Sequence, residues 1–462
     1  MMKTSAVVVG AGASGVAAAR LLAWRGADVT LIDGADVPGG EWNPYADTVE
    51  GEAVALDRGI RIAMASGDDA LDDVLYRSLP IAWHRIMGFP NEAHVLRGQT
   101  WQHNQCPDAR VFGPEVLDRG IDEMRRATPN PRAANLKEHL DGVFGTTFTE
   151  AIYRPFLQKV YGHTLEALAP GAERYFIPAR LILGDEARSA QFLADPALRS
   201  RVAHPSSRVL NLAGRSYFYP VSGPMGQWIS LGIDDLRARG ATLRFGRRVT
   251  AVLREERRVT GITLDDGTTV QGDVFAWAGA VPAFLTAARV PVPAVRPEFR
   301  ELTVVHLAHR EGPQHALHYA SFYDADDLSH RARFYREGRP SATPLERRMT
   351  SVEVVEAPGA GLDDATLVAR VHDDLQRSGI IAGDDAVTWS AVERFSRVFP
   401  VPTPALSAAM RSCEAEMSRF ANVAHVGRTA DAAFLDVILR RCDSETARLL
   451  GATPIIARRS AA

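Results

Sequence analysis

The chain has 462 residues, 46% hydrophobic and 24% charged, which is the composition of an ordinary globular protein and long enough for two or more domains. A formal net charge of −3 with Lys and Arg spread along the chain gives no footprint for nucleic acid or an anionic membrane. Cys106, Cys413 and Cys442 are far apart and odd in number, so they form no disulfide framework and suit a reducing, cytoplasmic setting.

The first predicted element is the β-branched run "SAVVVG", the mark of a buried parallel strand. Gly10, Gly12 and Gly15 then complete GxGxxG and open an Ala/Leu-rich helix from Val16 to Arg25. Each glycine has its own role: Gly10 for the tight turn, Gly12 for close backbone approach to a pyrophosphate, Gly15 for helix–strand packing. With Ala13 and Ser14 between them, the helix start presents free N–H groups and a partial positive charge to phosphates. The run also resembles a signal peptide, but glycines at nucleotide-turn spacing favour the dinucleotide reading. No other uninterrupted apolar run reaches transmembrane length, and no internal repeat is visible.

"ADVTLID" follows as a second strand and ends in Asp33, whose carboxylate can accept from a ribose diol. The glycine pair Gly39-Gly40 comes six residues later. A turn with Gly223 and Gly226 next leads to a helix carrying Ile229, Leu231, Ile233 and Leu236. "ATLRFGRRVTAVLRE" and "RVTGITLDDGTTV" read as two alternating strands joined by a turn, and "DVFAWAG" as a buried strand. "ELTVVHLAHR" alternates as a strand, so His306 and His309 face opposite ways and cannot share an ion. With His315 and His318 they read as strand and hairpin residues around "EGPQ", and no metal site is expected. "NVAHVGR" is a last strand, ending at Gly427 and Arg428, with a helix starting near Phe434 to Asp436. Arg428 suits a pyrophosphate, and that helix start suits negative charge. Asp431 reads as an exposed loop acid rather than a proton relay. Neither a GxSxG elbow nor an HExxH motif occurs.

Taken together, the opening fingerprint, the 217–279 segment and the 421–451 segment resemble the amine oxidase and protoporphyrinogen oxidase superfamily, and within it the branch of UDP-galactopyranose mutase. The resemblance implies an α/β, two-domain FAD-binding fold with Rossmann-like topology, a helical insertion and a mixed-sheet substrate domain. It implies that FAD lies along Gly10, Gly12, Ala13, Ser14, Gly15, Asp33, Gly39 and Gly40. Backbone of Val249 would meet the adenine, and Gly427, Arg428, Leu435, Asp436 and Val437 the rest of the cofactor. The expected partition is a discontinuous FAD domain (1–80, 205–290 and 395–462), a helical insertion (81–204) and a mixed sheet (291–394).

Several stretches point to the mutase branch. "FGTTFTEAIYRPFLQKVYG" resembles its helix ending in YxxKxWG, with Tyr161 for Trp, and "GRTADAAFLDV" resembles its GRxxxYxYLDM. "FIPAR" resembles its IPVR and "EFREL" its YRSL, which would make Arg180 and Arg300 the substrate-side arginines. There are departures too. "DRGIRIAMA" stands where the mutase has GPHIFHT, removing both histidines, and a substrate-gripping tyrosine falls on Ala432. "HYASFYDADDLSHRARFYRE" also reads more like a general oxidoreductase substrate domain. The expected activity is therefore an FAD-dependent oxidoreductase removing a hydride from a small organic substrate. A flavin-dependent pyranose/furanose mutase acting on a nucleotide sugar, with no net redox change, is the alternative.

Overall fold

A computed structural model describes residues 3–87, 91–102, 104–206, 216–429 and 434–456. Its first sheet holds five parallel strands in the order Thr242–Arg244, Asp28–Ile32, Ser5–Val9, Val274–Trp277, Val423–His425. The alternation of the central strand explains its unbroken apolar run. Ala6 and Val8 pack on one side with the helices Ala13–Trp24, Gly226–Ala238 and Leu435–Leu449, through Trp228, Ile229, Ile438 and Leu439. Val7 points the other way, into a second core with Ile262, Phe275, Phe284 and Met417. A parallel sheet covered on both faces leaves its central strand without a solvent-facing position.

The second sheet has seven strands in the order Val387–Pro400, Phe299–His309, Met349–Glu356, Ser329–Phe334, Tyr319–Phe322, Glu92–Leu96, Gln99–Gln102. All its pairings are antiparallel except Tyr319–Phe322 with Glu92–Leu96, which is parallel. One face is apolar and is covered by the helix Asp364–Arg377, with Val305, Leu307, Val352, Val354 and Phe334 against Leu367, Val371 and Leu375. The intervening residues Glu92, His94, Tyr319, Ser321, Arg333, Ser351 and Glu353 are also buried. The sheet thus has an apolar face and a buried polar one. The helices Pro114–Arg126, Leu136–Phe148 and Arg154–Tyr161 share a separate core with Tyr323, Val355 and Phe399.

Three boundaries differ from the sequence expectation. The 81–204 segment is not wholly helical: Trp83–Met87 joins a small sheet with Ser216–Pro220, and residues 92–102 supply two strands to the large one. The strand Val387–Pro400 runs past residue 394, because it pairs along the length of Phe299–His309. The hairpin Tyr45–Val49/Glu52–Leu56 packs its Val49, Val54 and Leu56 on Ala308, Tyr335 and Met349, away from the five-stranded sheet. The stretch around "EGPQ" is not a hairpin either. The strand before it pairs with Met349–Glu356 and Val387–Pro400, and the strand after it with Ser329–Phe334 and Glu92–Leu96. Each of these differences involves at least one partner distant in sequence, about which local alternation carries no information. No helix among the described residues is long and apolar enough to cross a membrane.

Candidate functional site

At the nucleotide turn Gly10 has φ +100 and its N–H donates to Ile32 O at 2.7 Å. A Cβ on Gly15 would fall 1.7 Å from Gly10 O, so only glycine lets the helix pass this close. Gly12 differs. It is the N-cap of the helix Ala13–Trp24, its φ of −75 suits any residue, and a Cβ there would meet nothing within 4 Å. Among the described residues no side chain caps that helix start, nor the start of the helix Leu435–Leu449 behind Phe434. Two helix N-termini with unclaimed amides therefore open on one space.

The loops around that space are tied to each other. The Asp33 carboxylate accepts from Ala11 N at 2.5 Å and Ala35 N at 2.7 Å, which fixes the turn from the second strand. Gly39 N donates to Ala11 O at 2.9 Å, so the Gly39-Gly40 pair lies directly over the turn. Asp33 N donates to Arg244 O and Arg247 N to Asp33 O, which brings the segment leading to half-buried Val249 beside the acid. Gly427 passes so close to Ala278 that a Cβ would lie 2.4 Å from its carbonyl. The Arg428 guanidinium is 47% exposed and faces Glu41 at 3.6 Å, an open-geometry ion pair that leaves most of its donors available.

A cavity of about 730 Å3 runs from this turn into the interior, within the range of sites that bury organic ligands. Its outer wall includes Gly12, Ala13, Ser14, Gly39, Arg428 and the first turn Leu435, Asp436 and Val437. Asp436 there pairs with Arg440 at 2.8 Å. The inner wall includes Ile60 to Ile62 and Met64, then Tyr175, Phe176, Ile177, Tyr217, Tyr319 and Arg331. Arg331 pairs with Glu353 at 2.6 Å, while the other Glu353 oxygen accepts from Ile60 N and lies 3.8 Å from Arg61. Arg331 and Arg61 thus both lie against the buried Glu353 carboxylate, and Arg61 also faces Glu41 at 4.0 Å. Gly59 makes room for Glu353: at φ +78, its Cβ would sit 1.9 Å from Oε1.

The two arginines expected on the substrate side are elsewhere. Arg180 Nη1 donates to Arg199 O and Val202 O, both at 2.8 Å. Arg300 Nε donates to Val160 O at 3.0 Å, and its guanidinium packs over Gly162. Neither lines the cavity, because each is committed to main-chain carbonyls. Of "FIPAR" only Phe176, Ile177 and Pro178 reach the wall. The polar strand residues Tyr319 and Arg331, and Tyr217, were missed by sequence reasoning. The one available signal was the alternation of polar residues through "HYASFYDADDLSHRARFYRE", which a solvated strand shows equally well. His306 bonds Ser351 and Glu393, whereas His309 bonds Thr350 and stacks on His372. Asp431 and Ala432 lie outside the described residues.

Residues 8–77 match the model of the NAD(P)-binding Rossmann-like domain. No curated protein sequence matches the chain. Among solved structures it is similar to reduced UDP-galactopyranose mutase, at 17% identity and a TM-score of 0.73, covering 98% of this chain and 94% of that one. It is also similar to cyclohexylamine oxidase from Brevibacterium oxydans, at 13% identity and a TM-score of 0.63 over 97% and 99% of the two chains. Putrescine oxidase aligns at 14% identity and 0.60, also over 97% and 99%. The chain shares the mixed α/β fold of these solved structures, with a Rossmann-like domain near its start.

Proposed function

We propose that the protein is an FAD-dependent oxidoreductase acting on a small organic substrate. The observation that carries this is the pair of uncapped helix N-termini and open Gly12 on one cavity that continues to a wall of tyrosines and Arg331. A dinucleotide fits there by the chemistry of the site: amides of Gly12 to Ser14 and the Arg428 fork for a pyrophosphate, and a glycine pair where backbone must approach closely. Asp33 and the start of the Val249 strand are set for the adenosine end. Leu435 to Val437 would present their amides to the ring end, where positive potential favours electron uptake. When bound, the flavin would accept two electrons from substrate carbon, chemistry no side chain provides. The residues of this chain hold and orient the reactants and keep water out, with Phe176, Tyr217 and Tyr319 forming the substrate-side wall.

Nucleotide-sugar mutase chemistry is the second reading, and the higher TM-score against the reduced mutase, 0.73 against 0.63 and 0.60, favours it. The site itself favours oxidation, since "DRGIRIAMA" stands where the mutase branch carries GPHIFHT, and both histidines are gone. Purified protein should be yellow and should bleach anaerobically on addition of a primary or secondary amine, or a secondary alcohol. Turnover of a nucleotide sugar only after dithionite reduction would establish the second reading instead. Colourless protein that takes up no FAD would end both.

A further inference from the structure

Behind the inner wall, Glu92 is buried on the polar face of the large sheet, 1% exposed, and does not itself line the cavity. It stands in register with Tyr319 across the parallel strand pair. The Tyr319 hydroxyl and the Gln105 main chain are the polar groups beside its carboxyl, and Oε1 is buried with no hydrogen-bond partner among the described residues. Tyr319 and Gln105 both line the cavity, and of the two only Tyr319 brings a titratable hydroxyl, the group through which a proton can pass between Glu92 and the cavity. Gln105 is held from its other side by Tyr323, whose hydroxyl donates to Gln105 O at 2.7 Å. A carboxyl with no cation partner among the described residues, and with one oxygen idle, is a costly thing to bury for structure alone.

Resting on the oxidoreductase reading above, we infer that Tyr319 and Glu92 form a proton relay for the substrate. As the carbon–hydrogen bond of an amine or alcohol breaks, its hydrogen and both bonding electrons leave to the oxidised flavin. The proton on substrate nitrogen or oxygen passes to Tyr319 Oη, and the Tyr319 proton passes to the Glu92 carboxylate. A C=N or C=O bond results, and Glu92 later releases its proton. Tyr319 is the catalytic group here, and Glu92 is the positioning and proton-holding residue behind it.

Burial pushes the Glu92 carboxyl up to about 8, with the hydrogen bonds from Tyr319 and Gln105 opposing the rise. The other titratable groups that sense it are the Cys106 thiol and the hydroxyls of Tyr319 and Tyr323, each itself raised first by burial. Tyr217 couples to Tyr319, and Arg331 to Tyr323. A relay that starts from carboxylate should therefore speed up as pH rises toward 8.

The test measures anaerobic flavin bleaching with a panel of primary amines, secondary amines and secondary alcohols against pH, in wild type, Glu92→Gln, Glu92→Asp and Tyr319→Phe. Flavin content is measured in each. Bleaching by wild type should rise about tenfold per pH unit below the midpoint. Glu92→Gln and Tyr319→Phe should keep their flavin, lose at least about a hundredfold in rate and lose that slope, and Glu92→Asp should recover part of it. An unchanged pH profile in Glu92→Gln overturns the relay. If no panel member bleaches the flavin, the oxidoreductase reading fails, and infrared titration still decides the relay. A protonated-carboxyl band should disappear near pH 8, be absent from Glu92→Gln and shift its midpoint upward in Tyr319→Phe. A midpoint in the ordinary carboxylate range, or one indifferent to Tyr319→Phe, overturns it; wild type and Tyr319→Phe suffice for this should Glu92→Gln not fold.

Discussion

The Gly12→Val substitution should separate cofactor binding from folding. Gly12 has φ −75 and ψ −176, extended backbone that valine adopts freely, and a Cβ there would meet no atom within 4 Å. Losing glycine at an N-cap costs roughly 1 kcal/mol, partly offset by the ~0.4–1 kcal/mol gained from a stiffer unfolded chain. Folding stability should therefore stay within about 1 kcal/mol of wild type. The side chain would instead project into the space assigned to the pyrophosphate, and FAD affinity should fall at least a hundredfold, about 2.7 kcal/mol. Gly15→Ala is the contrasting variant, with its Cβ 1.7 Å from Gly10 O. Overpacking against fixed backbone costs ~1–3 kcal/mol or more, so it should destabilise the chain itself. Urea unfolding and calorimetric FAD titration of apoprotein measure the two quantities separately. The reasoning is refuted if Gly12→Val binds FAD as wild type does, or if it unfolds as readily as Gly15→Ala.

Three further outcomes are expected. Arg428→Ala should weaken FAD binding by roughly tenfold to a hundredfold, the ~1.5–3 kcal/mol of a charge-assisted hydrogen bond; an unchanged dissociation constant would remove Arg428 from the cofactor site. Arg180→Ala should keep its flavin and its turnover per flavin but lose ~1–3 kcal/mol of stability, since its guanidinium serves Arg199 O and Val202 O. A loss of turnover at full stability would return Arg180 to the active site. Glu92 should also mark the pH dependence of stability. Its folded-state value of about 8 lies above the ordinary 4.5, so between these the folded chain holds a proton that the unfolded chain has released, and stability falls as pH rises through that window. Glu92→Gln is neutral throughout, so its thermal midpoint should decline less between about pH 5 and about pH 8; parallel declines would show that Glu92 titrates elsewhere.

The geometry of the Rossmann-like turn was legible because its determinants are local. Gly10, Gly12 and Gly15 lie within one turn, and the strands and helix after Gly223 follow directly in the chain. The substrate side was not. Tyr319 and Glu92 meet only because two strands from opposite ends of the chain pair in parallel, a register that no local pattern specifies. Buried polar residues compound the difficulty. Alternation in "SHRARF" reads as a solvent-facing set, yet Arg333 is fully buried between Tyr219 and Tyr335. Arg180 and Arg300 failed for the converse reason: a short motif preserved its apolar residues at the wall while its arginine turned to nearby carbonyls.

The five-stranded sheet has a consequence for how the chain is made. Its central strand, Ser5–Val9, is synthesised before the strands that flank it, and one neighbour, Val274–Trp277, and an edge strand, Val423–His425, come much later. The nucleotide turn must therefore wait, with half its sheet unformed, while the insertion and the large sheet are synthesised. Late, long-range closure of this kind folds slowly and exposes an unpaired parallel edge meanwhile. The Gly427 loop, which closes over Ala278, is added with the last strand. Competence to retain a dinucleotide should consequently arise abruptly once Val423–His425 and the Gly427 loop have been made, rather than growing as each segment appears.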